Sequence, residues 1–546
     1  MPVVELSYSR LQKLVGAKAT KKKISESLPY LGLDIEGEDG DTVRVEYSPN
    51  RPDYSTDIGI SLGLQGLLGI KTGLVPLRVK KSKNFSLKVD SSVRKIRPFV
   101  TGIIARDGKI DDSLLKQLIV MQEDLHSGIG RGRIKSSIGI HDLYKVDFPL
   151  RYTTIDHRHK FIPLNSKEES TISEILHDTD IGKKYGFILG TGSSFPVILD
   201  KNNETVSFPP IINAAKTTVN KDTQNIFVEI TGLNKTDVEN VLSIIAVIFQ
   251  AAGFKLESLN ISGSRNSTPR LTKRKNLFEP ELVNKTIGTS LSPSKIVSSL
   301  KRSRLGAKIK GKRIECTIPS YRFDIFGPMD LVEEAVLGFG IENIKPRVSP
   351  SEVLGQKNEI SSRLKTLSQS MVGLGCTEAL HSSLTGHNVL YGATKRDPKN
   401  EIAVMDSKSQ EHTILRDMII PQLLDSLSKN IHEPYPQRLF EIGTVFSPNT
   451  PIDETTSLAC VIANKDANFS EAKAVAQSAL RSSFGITVKT MTSNQPMFEK
   501  GKNATIEVDG KTFGVIGEIS NKVLENFRIR ATVAAFEISL SGLIFD

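Results

Sequence analysis

The 546-residue sequence predicts a multidomain α+β protein. Three observations point there. The chain is too long for one hydrophobic core, so about three to five domains are expected. Its 38% hydrophobic and 24% charged content belongs to a folded globular chain rather than a disordered one. Stretches of helical period alternate with stretches of period two along its length. The longest apolar run, Leu242 to Phe254, is shorter than the roughly 20 residues of a membrane span and reads as a buried helix. The opening Met1-Pro-Val-Val-Glu-Leu lacks the basic-then-apolar layout of a signal peptide. Cys316, Cys376 and Cys460 are too widely spaced for a zinc or redox motif. A cytoplasmic protein with buried thiols and no membrane association is expected.

The first region, 1–84, opens with helical patterns at Ser9 to Val15 and Thr20 to Tyr30, then strands at Leu33 to Glu36 and Thr42 to Tyr47. The turn Ser48-Pro-Asn-Arg-Pro-Asp53 opens a helix through Leu68, with Asp53 or Ser55 placed to cap it and Gly69 to end it. The basic, polar stretch Arg78 to Lys83 reads as a linker.

The second region, 85–266, is mixed α/β, with a helix from Asp112 to Asp124 and strands ending near Ala105 and running from Ser136 to Ile140. Gly128-Ile-Gly-Arg-Gly-Arg133 lacks the strand-to-helix context of a phosphate loop and reads as a β-turn region. His157 and His159 sit among Arg158 and Lys160 without further ligands and read as a solvated loop. In the strand Asn225-Ile-Phe-Val-Glu-Ile-Thr-Gly232, period two places Phe227, Glu229 and Thr231 on one face. Val228 and Ile230 then face a core. An edge strand with polar residues pointing outward is the plainer reading of the same pattern.

In the third region, 267–346, Ser292-Pro293 starts a helix with a good cap and Pro at the first position, and Ile296, Val297 and Leu300 recur at helical spacing. The segment Arg265 to Arg313 holds 14 Lys or Arg and 2 Glu, more than accounting for the net charge of +11. It is either a nucleic-acid contact or a solvated basic face, with Lys301, Arg302 and Arg304 at a helix end able to meet phosphate. Four carboxylates follow: Asp324 after a strand, then Asp330, Glu333 and Glu334 on one side of a helix. Hard oxygen donors suit Mg²⁺ or Ca²⁺. A helix cap at Asp330 and a pairing of Arg322 with another acid would account for much of the cluster without a metal.

The last region, 347–546, opens with an amphipathic helix from Glu359 to Leu374. Arg416 then precedes a helix, and Gln437-Arg-Leu-Phe-Glu-Ile-Gly-Thr-Val-Phe446 reads as a long strand.

Several of these motifs together resemble one family. Pro319-Ser-Tyr-Arg-Phe-Asp-Ile, Asp330-Leu-Val-Glu-Glu-Ala and Gly338-Phe-Gly-Ile resemble the metal-binding domain of phenylalanyl-tRNA synthetase β subunits. Gly32-Leu-Asp-Ile-Glu and Asn50-Arg-Pro-Asp53 are similar to that family's first domain. The runs from His141, from Ser207 to Asn213 and from Asn225 to Gly232 resemble, in order, the editing domain of its archaeal and eukaryotic type.

The resemblance implies an N-terminal α/β domain, a mixed α/β editing domain, a winged-helix-like metal-binding domain and a degenerate class II synthetase antiparallel-sheet domain. It implies an α₂β₂ tetramer in which the α subunit binds ATP and phenylalanine, charges tRNA(Phe), and relies on this chain to hydrolyse tyrosine wrongly attached to that tRNA. It assigns Mg²⁺ to Asp324, Asp330, Glu333 and Glu334, and no DNA partner is expected. A pocket that tells tyrosine from phenylalanine must recognise one hydroxyl, which nominates Ser207, Asn213, Glu229 and Thr231, with His141 beside them. Arg438 and Glu441 are separated by two residues rather than one, and Gly514-Val-Ile-Gly-Glu-Ile ends in an acid where a cation should meet ATP phosphate. The last domain is therefore read as catalytically silent, the helix after Arg416 pairing with the α subunit. A free-standing tRNA deacylase and an RNA-binding scaffold are the alternative readings.

Overall fold

The structure, a computed structural model, describes residues 2–16, 19–262, 268–346, 348, 354–407, 409 and 411–544. Arg265 and the expected boundaries at 266/267 and 346/347 lie outside the described residues. The chain divides into two compact units, Met1–Val348 and Ser349–Asp546.

The first unit begins with an antiparallel sheet in which Thr42–Tyr47 lies between Val3–Ser7 and Leu33–Asp39. Its inward residues Val4, Leu6, Val43 and Val45 pack with Leu11, Ile60 and Leu64 of the helices Tyr8–Val15 and Asp57–Leu67. The second helix is capped by Thr56, whose hydroxyl accepts from Gly59 N at 3.1 Å, and not by Asp53 or Ser55. Both expected caps are already engaged. Ser55 Oγ donates to Pro52 O at 2.8 Å, and Asp53 is held in a two-pronged ion pair by Arg51.

Two sheets follow. A five-stranded sheet centres on Phe99–Arg106 and Ile226–Gly232 with Ser136–Asp142 at one edge. The helix Lys235–Ala251 packs against it through Val238, Val241, Leu242 and Ile245. The expected linker contributes an edge strand, because Val79–Lys80 pairs in parallel with Leu256–Glu257. A polar edge strand and a linker share one composition, since edges are kept charged to discourage further pairing. A six-stranded sheet carries Thr205–Phe208 and Ile212–Asn213 at its other end.

The remainder of this unit runs strand, two helices, two strands and helix. Arg313–Ile318 lies between Arg274–Phe278 and Gly306–Lys310, covered by Pro280–Ile287, Pro293–Arg302 and Pro328–Phe339. The Ser292 cap forms as expected, accepting from Lys295 N at 3.3 Å, and Ile296 and Leu300 are fully buried.

The second unit is built on a seven-stranded sheet, antiparallel except where Thr377–Glu378 joins Gln437–Ser447. The helices Glu359–Gly373 and Phe469–Phe484 cover one face over Phe440, Cys460 and Phe536. The helix Ile420–Lys429 covers the other over Ala459, Val461 and Ala535. All three cysteines are free and buried. No helix among the described residues is long and apolar enough to cross a membrane.

Candidate functional site

The strand Ile226–Gly232 is not an edge strand. It lies between Phe99–Arg106 and Ser136–Asp142, and all seven of its residues are buried. Ile226, Val228 and Ile230 face the core shared with the helix Lys235–Ala251, while Phe227 packs into a second core with Tyr152 and Leu143. Alternation therefore carries Glu229 into a buried setting, where its side chain is 2% exposed.

Both residues opposite Glu229 on the neighbouring strands are glycines, Gly102 and Gly139. A Cβ on Gly139 would stand 2.4 Å from Glu229 Oε1 and 2.6 Å from His141 Nε2, so the missing side chain makes the room that these two groups occupy. Ser207, from the other sheet, donates to Glu229 Oε1 at 2.8 Å. His141 Nδ1 lies 2.8 Å from Thr217 Oγ1, and its Nε2 lies 4.0 Å from Glu229 Oε1. Since the Thr217 hydroxyl donates to Ala214 O at 3.2 Å, it is left to accept from Nδ1–H, and in the neutral ring Nε2 then carries the lone pair.

Glu229 Oε2 and His141 Nε2 are both buried without a hydrogen-bond partner among the described residues. A buried polar atom left unpaired costs on the order of 1–3 kcal/mol. Two such acceptors side by side form a receptor for an O–H donor. Glu229 reaches the floor of a cavity of about 430 Å³, whose walls include Leu118, Ile140, Pro210 and Asn213. That volume suits an amino-acid side chain with part of what it is attached to.

Of the five expected pocket residues, Glu229 and Asn213 line the cavity, and Ser207 and His141 flank the Glu229 carboxylate. Thr231 has another task. Its hydroxyl accepts from Arg97 Nε at 2.9 Å, and Arg97 also donates to the carbonyls of Arg133, Ile134 and Thr231. Burial brings the Arg97 guanidinium down to about 10, and these bonds fasten the strand pair beneath the pocket. Arg133, set aside above as part of a turn, also lines the cavity. It donates to Ile211 O and to Glu123 Oε1, both at 2.9 Å, and so pins the wall loop. Its φ is 68°, and its place after Gly132 at the end of a glycine-rich turn carried no sequence signal of that task.

Three of the four carboxylates expected to hold Mg²⁺ are engaged by partners within the protein. Asp324 and Glu334 are both paired with the buried Arg322. Burial pushes the Asp324 carboxyl up, and Arg322 more than offsets it, holding Asp324 below its ordinary value. Asp330 Oδ2 turns away to accept from Phe326 N and Gly327 N at 2.6 and 2.7 Å, capping its helix, and Glu333 is exposed. No group of three metal donors forms among the described residues. This arrangement does not fit a shared divalent ion, because a guanidinium already supplies the positive charge.

Much of the basic segment is likewise committed. Arg274 donates to Ile325 O and Arg322 O at 2.7 and 2.6 Å. Arg302 and Arg304, expected to meet phosphate, instead donate to Leu67 O and Lys71 O at the end of the helix Asp57–Leu67.

In the second unit, Arg416 and Glu441 meet on the sheet. Arg416 Nη1 lies 2.7 Å from Glu441 Oε1, and His381 bridges Glu441 Oε2 to Ser426 Oγ at 2.6 Å on each side. Glu537 accepts from Ile419 N and Ile420 N, and burial raises its carboxyl to about 7. Among the described residues, helices pack over both faces of this sheet.

Comparison with known proteins bears on what the cavity serves. Residues 341–540 match the model of the phenylalanyl tRNA synthetase beta chain CLM domain, 277–341 that of the tRNA synthetase B5 domain, and 130–246 that of the B3/4 domain. The phenylalanine–tRNA ligase β subunit of Archaeoglobus fulgidus is 39% identical over 100% of this chain and 99% of its own length. That of Methanosarcina acetivorans is 34% identical over 100% and 99%. A crystal structure of an N-terminal fragment of the Pyrococcus horikoshii phenylalanyl-tRNA synthetase β subunit matches with a TM-score of 0.59 at 29% identity, covering 62% of this chain and 99% of the fragment.

Proposed function

The chain belongs to the phenylalanyl-tRNA synthetase β-subunit family, and from that premise we propose that it hydrolyses tyrosine wrongly attached to tRNA(Phe) in the cavity floored by Glu229. The observation that carries this reading is the pair of unpartnered buried atoms, Glu229 Oε2 and His141 Nε2, the first belonging to a residue that lines the cavity and the second standing beside it. A tyrosyl phenol brings the O–H donor they lack. A phenylalanyl ring brings none and would leave both acceptors desolvated, and sites built around a substrate hydroxyl discriminate strongly for this reason. Ser207 orients Glu229, His141 stands beside it, Asn213 contributes to the wall, and Thr231 with Arg97 holds the strand in place.

In this reading the chain is one half of a ligase that joins phenylalanine to tRNA at the expense of ATP, assembled with α subunits as an α₂β₂ tetramer in the cytoplasm. ATP and phenylalanine bind in α, since the sheet of the second unit is covered on both faces by its own helices. The family's reaction depends on ATP and Mg²⁺, and no step here is routed through a metal on this chain. We place the domains at 1–84, 85–266, 267–346 and 347–546. The third, with its strand, helix pair and β-hairpin, is read as a winged-helix-like module. Similarity to β subunits over the whole chain does not favour a free-standing deacylase or an RNA-binding scaffold.

The test is hydrolysis of preformed Tyr-tRNA(Phe) by the chain co-expressed with its α subunit. Ser207→Ala is expected to slow it about tenfold, the effect of losing one orienting hydrogen bond. A wild-type complex that leaves the ester intact would refute the assignment.

A further inference from the structure

We propose that the mouth of the Glu229 cavity is a stacking platform for the unpaired 3′ end of tRNA, with Tyr144 and Phe187 as its aromatic surfaces and Lys145, Lys183 and Lys184 as its phosphate contacts. The proposal rests on the editing reading above and adds to it the surface that presents the substrate.

Tyr144 and Phe187 are 78% and 68% exposed. Aromatic rings left this open gain little from folding and have their faces free to stack on a partner. Both are tied to the cavity rim through neighbours. The short turn Leu143–Lys145 packs on Ala215–Thr217, and Lys145 Nζ donates to the carbonyl of Thr218, a residue of the cavity wall, at 3.4 Å. Tyr144 therefore belongs to the turn that meets the Thr217–Thr218 wall. The second ring belongs to another wall. Arg133 stacks on Tyr185 with 4.3 Å from its Cζ to the ring centroid, Ile181 of the same short helix lines the cavity, and Phe187 follows two residues later.

The charges agree with an RNA occupant. Among the described residues, Lys145, Lys183 and Lys184 form no ion pair with a carboxylate, and all three are exposed. Neighbouring Lys216, by contrast, is taken up by Asp200 and Glu204. An amino acid whose side chain reaches Glu229 must enter through this mouth, so the nucleotides that carry it lie across the rim. Aromatic faces flanked by lysines are how single-stranded nucleic acid is held without reading its sequence, each stacked base being worth about 1–3 kcal/mol.

The experiment is single-turnover deacylation of Tyr-tRNA(Phe) by the complex with the α subunit, with enzyme concentration varied. The double variant Tyr144→Ala, Phe187→Ala is expected to raise the half-saturating enzyme concentration about 10- to 100-fold, with the rate at saturation kept. Tyr144→Trp in the Phe187→Ala background should recover part of that loss, which a merely structural role would not allow. Unchanged half-saturation in the double variant overturns the platform. If Glu229→Ala abolishes hydrolysis in the same assay, the pocket survives and the platform alone is lost. If Glu229→Ala also leaves the rate untouched, both readings fall.

Discussion

Two buried glutamates divide the molecule's chemistry between them. Glu229 in the first unit has one oxygen bonded to Ser207 and the other bonded to nothing, beside an imidazole nitrogen in the same condition. Glu441 in the second unit is closed in by Arg416 at 2.7 Å and His381 at 2.6 Å, and a burial that would raise its carboxyl is outweighed by the hydrogen bond to His381 and the Arg416 guanidinium, which hold it low. Both positions are polar residues on central strands, and sequence alone does not separate them. What separates them is charge pairing: Glu441 Oε1, which like Glu229 Oε2 has no hydrogen-bond partner, faces the Arg416 guanidinium at 2.7 Å, whereas Glu229 Oε2 has no Arg or Lys ion pair among the described residues. A cluster whose charges answer one another serves the fold, and one that holds open valences over a cavity serves a ligand.

Mutations should divide along the same line. The largest expected effect is at the closed cluster. Glu441→Ala strands the Arg416 guanidinium, 2% exposed, and should cost about 3–5 kcal/mol in urea unfolding, with deacylation of Tyr-tRNA(Phe) unaffected. Glu229→Ala should show the reverse, losing about a hundredfold or more in deacylation, roughly the effect of removing one preorganised polar group, while unfolding free energy shifts by less than about 1 kcal/mol because an orphaned acceptor goes with it. If Glu229→Ala unfolds the protein and Glu441→Ala removes deacylation, the comparison is inverted and fails.

A third change sharpens the contrast through pH. The Glu537 carboxyl is raised to about 7 by burial, so between its unfolded value near 4.5 and 7 the folded state holds a proton that the unfolded state has released. Stability therefore falls as pH rises through that window. Glu537→Gln keeps an acceptor for Ile419 N and Ile420 N and removes the titration. Relative to wild type it should gain about 1–3 kcal/mol between pH 5 and pH 8, read from melting curves at the two values. The smallest effect is expected at Gly139→Ala, whose Cβ intrudes between Glu229 and His141. A fall of about tenfold in deacylation, against a modest change in melting temperature, would match the displacement of one carboxylate by a fraction of an ångström.

The strands and helices near the pocket were legible in the sequence because their periodicity is strong. Alternation along Ile226–Gly232 correctly turned Glu229 away from Val228 and Ile230. What it does not encode is who meets Glu229 across space. Ser207 comes from a different sheet, Thr217 from a turn 76 residues beyond His141, and Gly139 signifies only through what its absent side chain permits. The bond that engages the Thr231 hydroxyl is hidden in the same way, since its partner Arg97 lies 134 residues away. The carboxylate cluster poses the converse problem. Proximity in sequence suggested a shared ion, whereas Arg322, in the same motif, takes two of the acids and a helix start takes a third. Arginines in the basic segment were counted as surface charge, yet three of them are spent on backbone carbonyls. Charge is visible in a sequence, and its commitment is not.

The measurement that bears most directly on this account is the ratio of deacylation rates for Tyr-tRNA(Phe) and Phe-tRNA(Phe), taken on the wild-type complex and on Glu229→Ala. The account predicts that wild type strongly prefers the tyrosyl ester and that the preference collapses toward unity in the variant, because the phenol loses its acceptor. A variant that hydrolyses both esters more slowly yet keeps the wild-type ratio would contradict it, since tyrosine would then be recognised somewhere other than at Glu229.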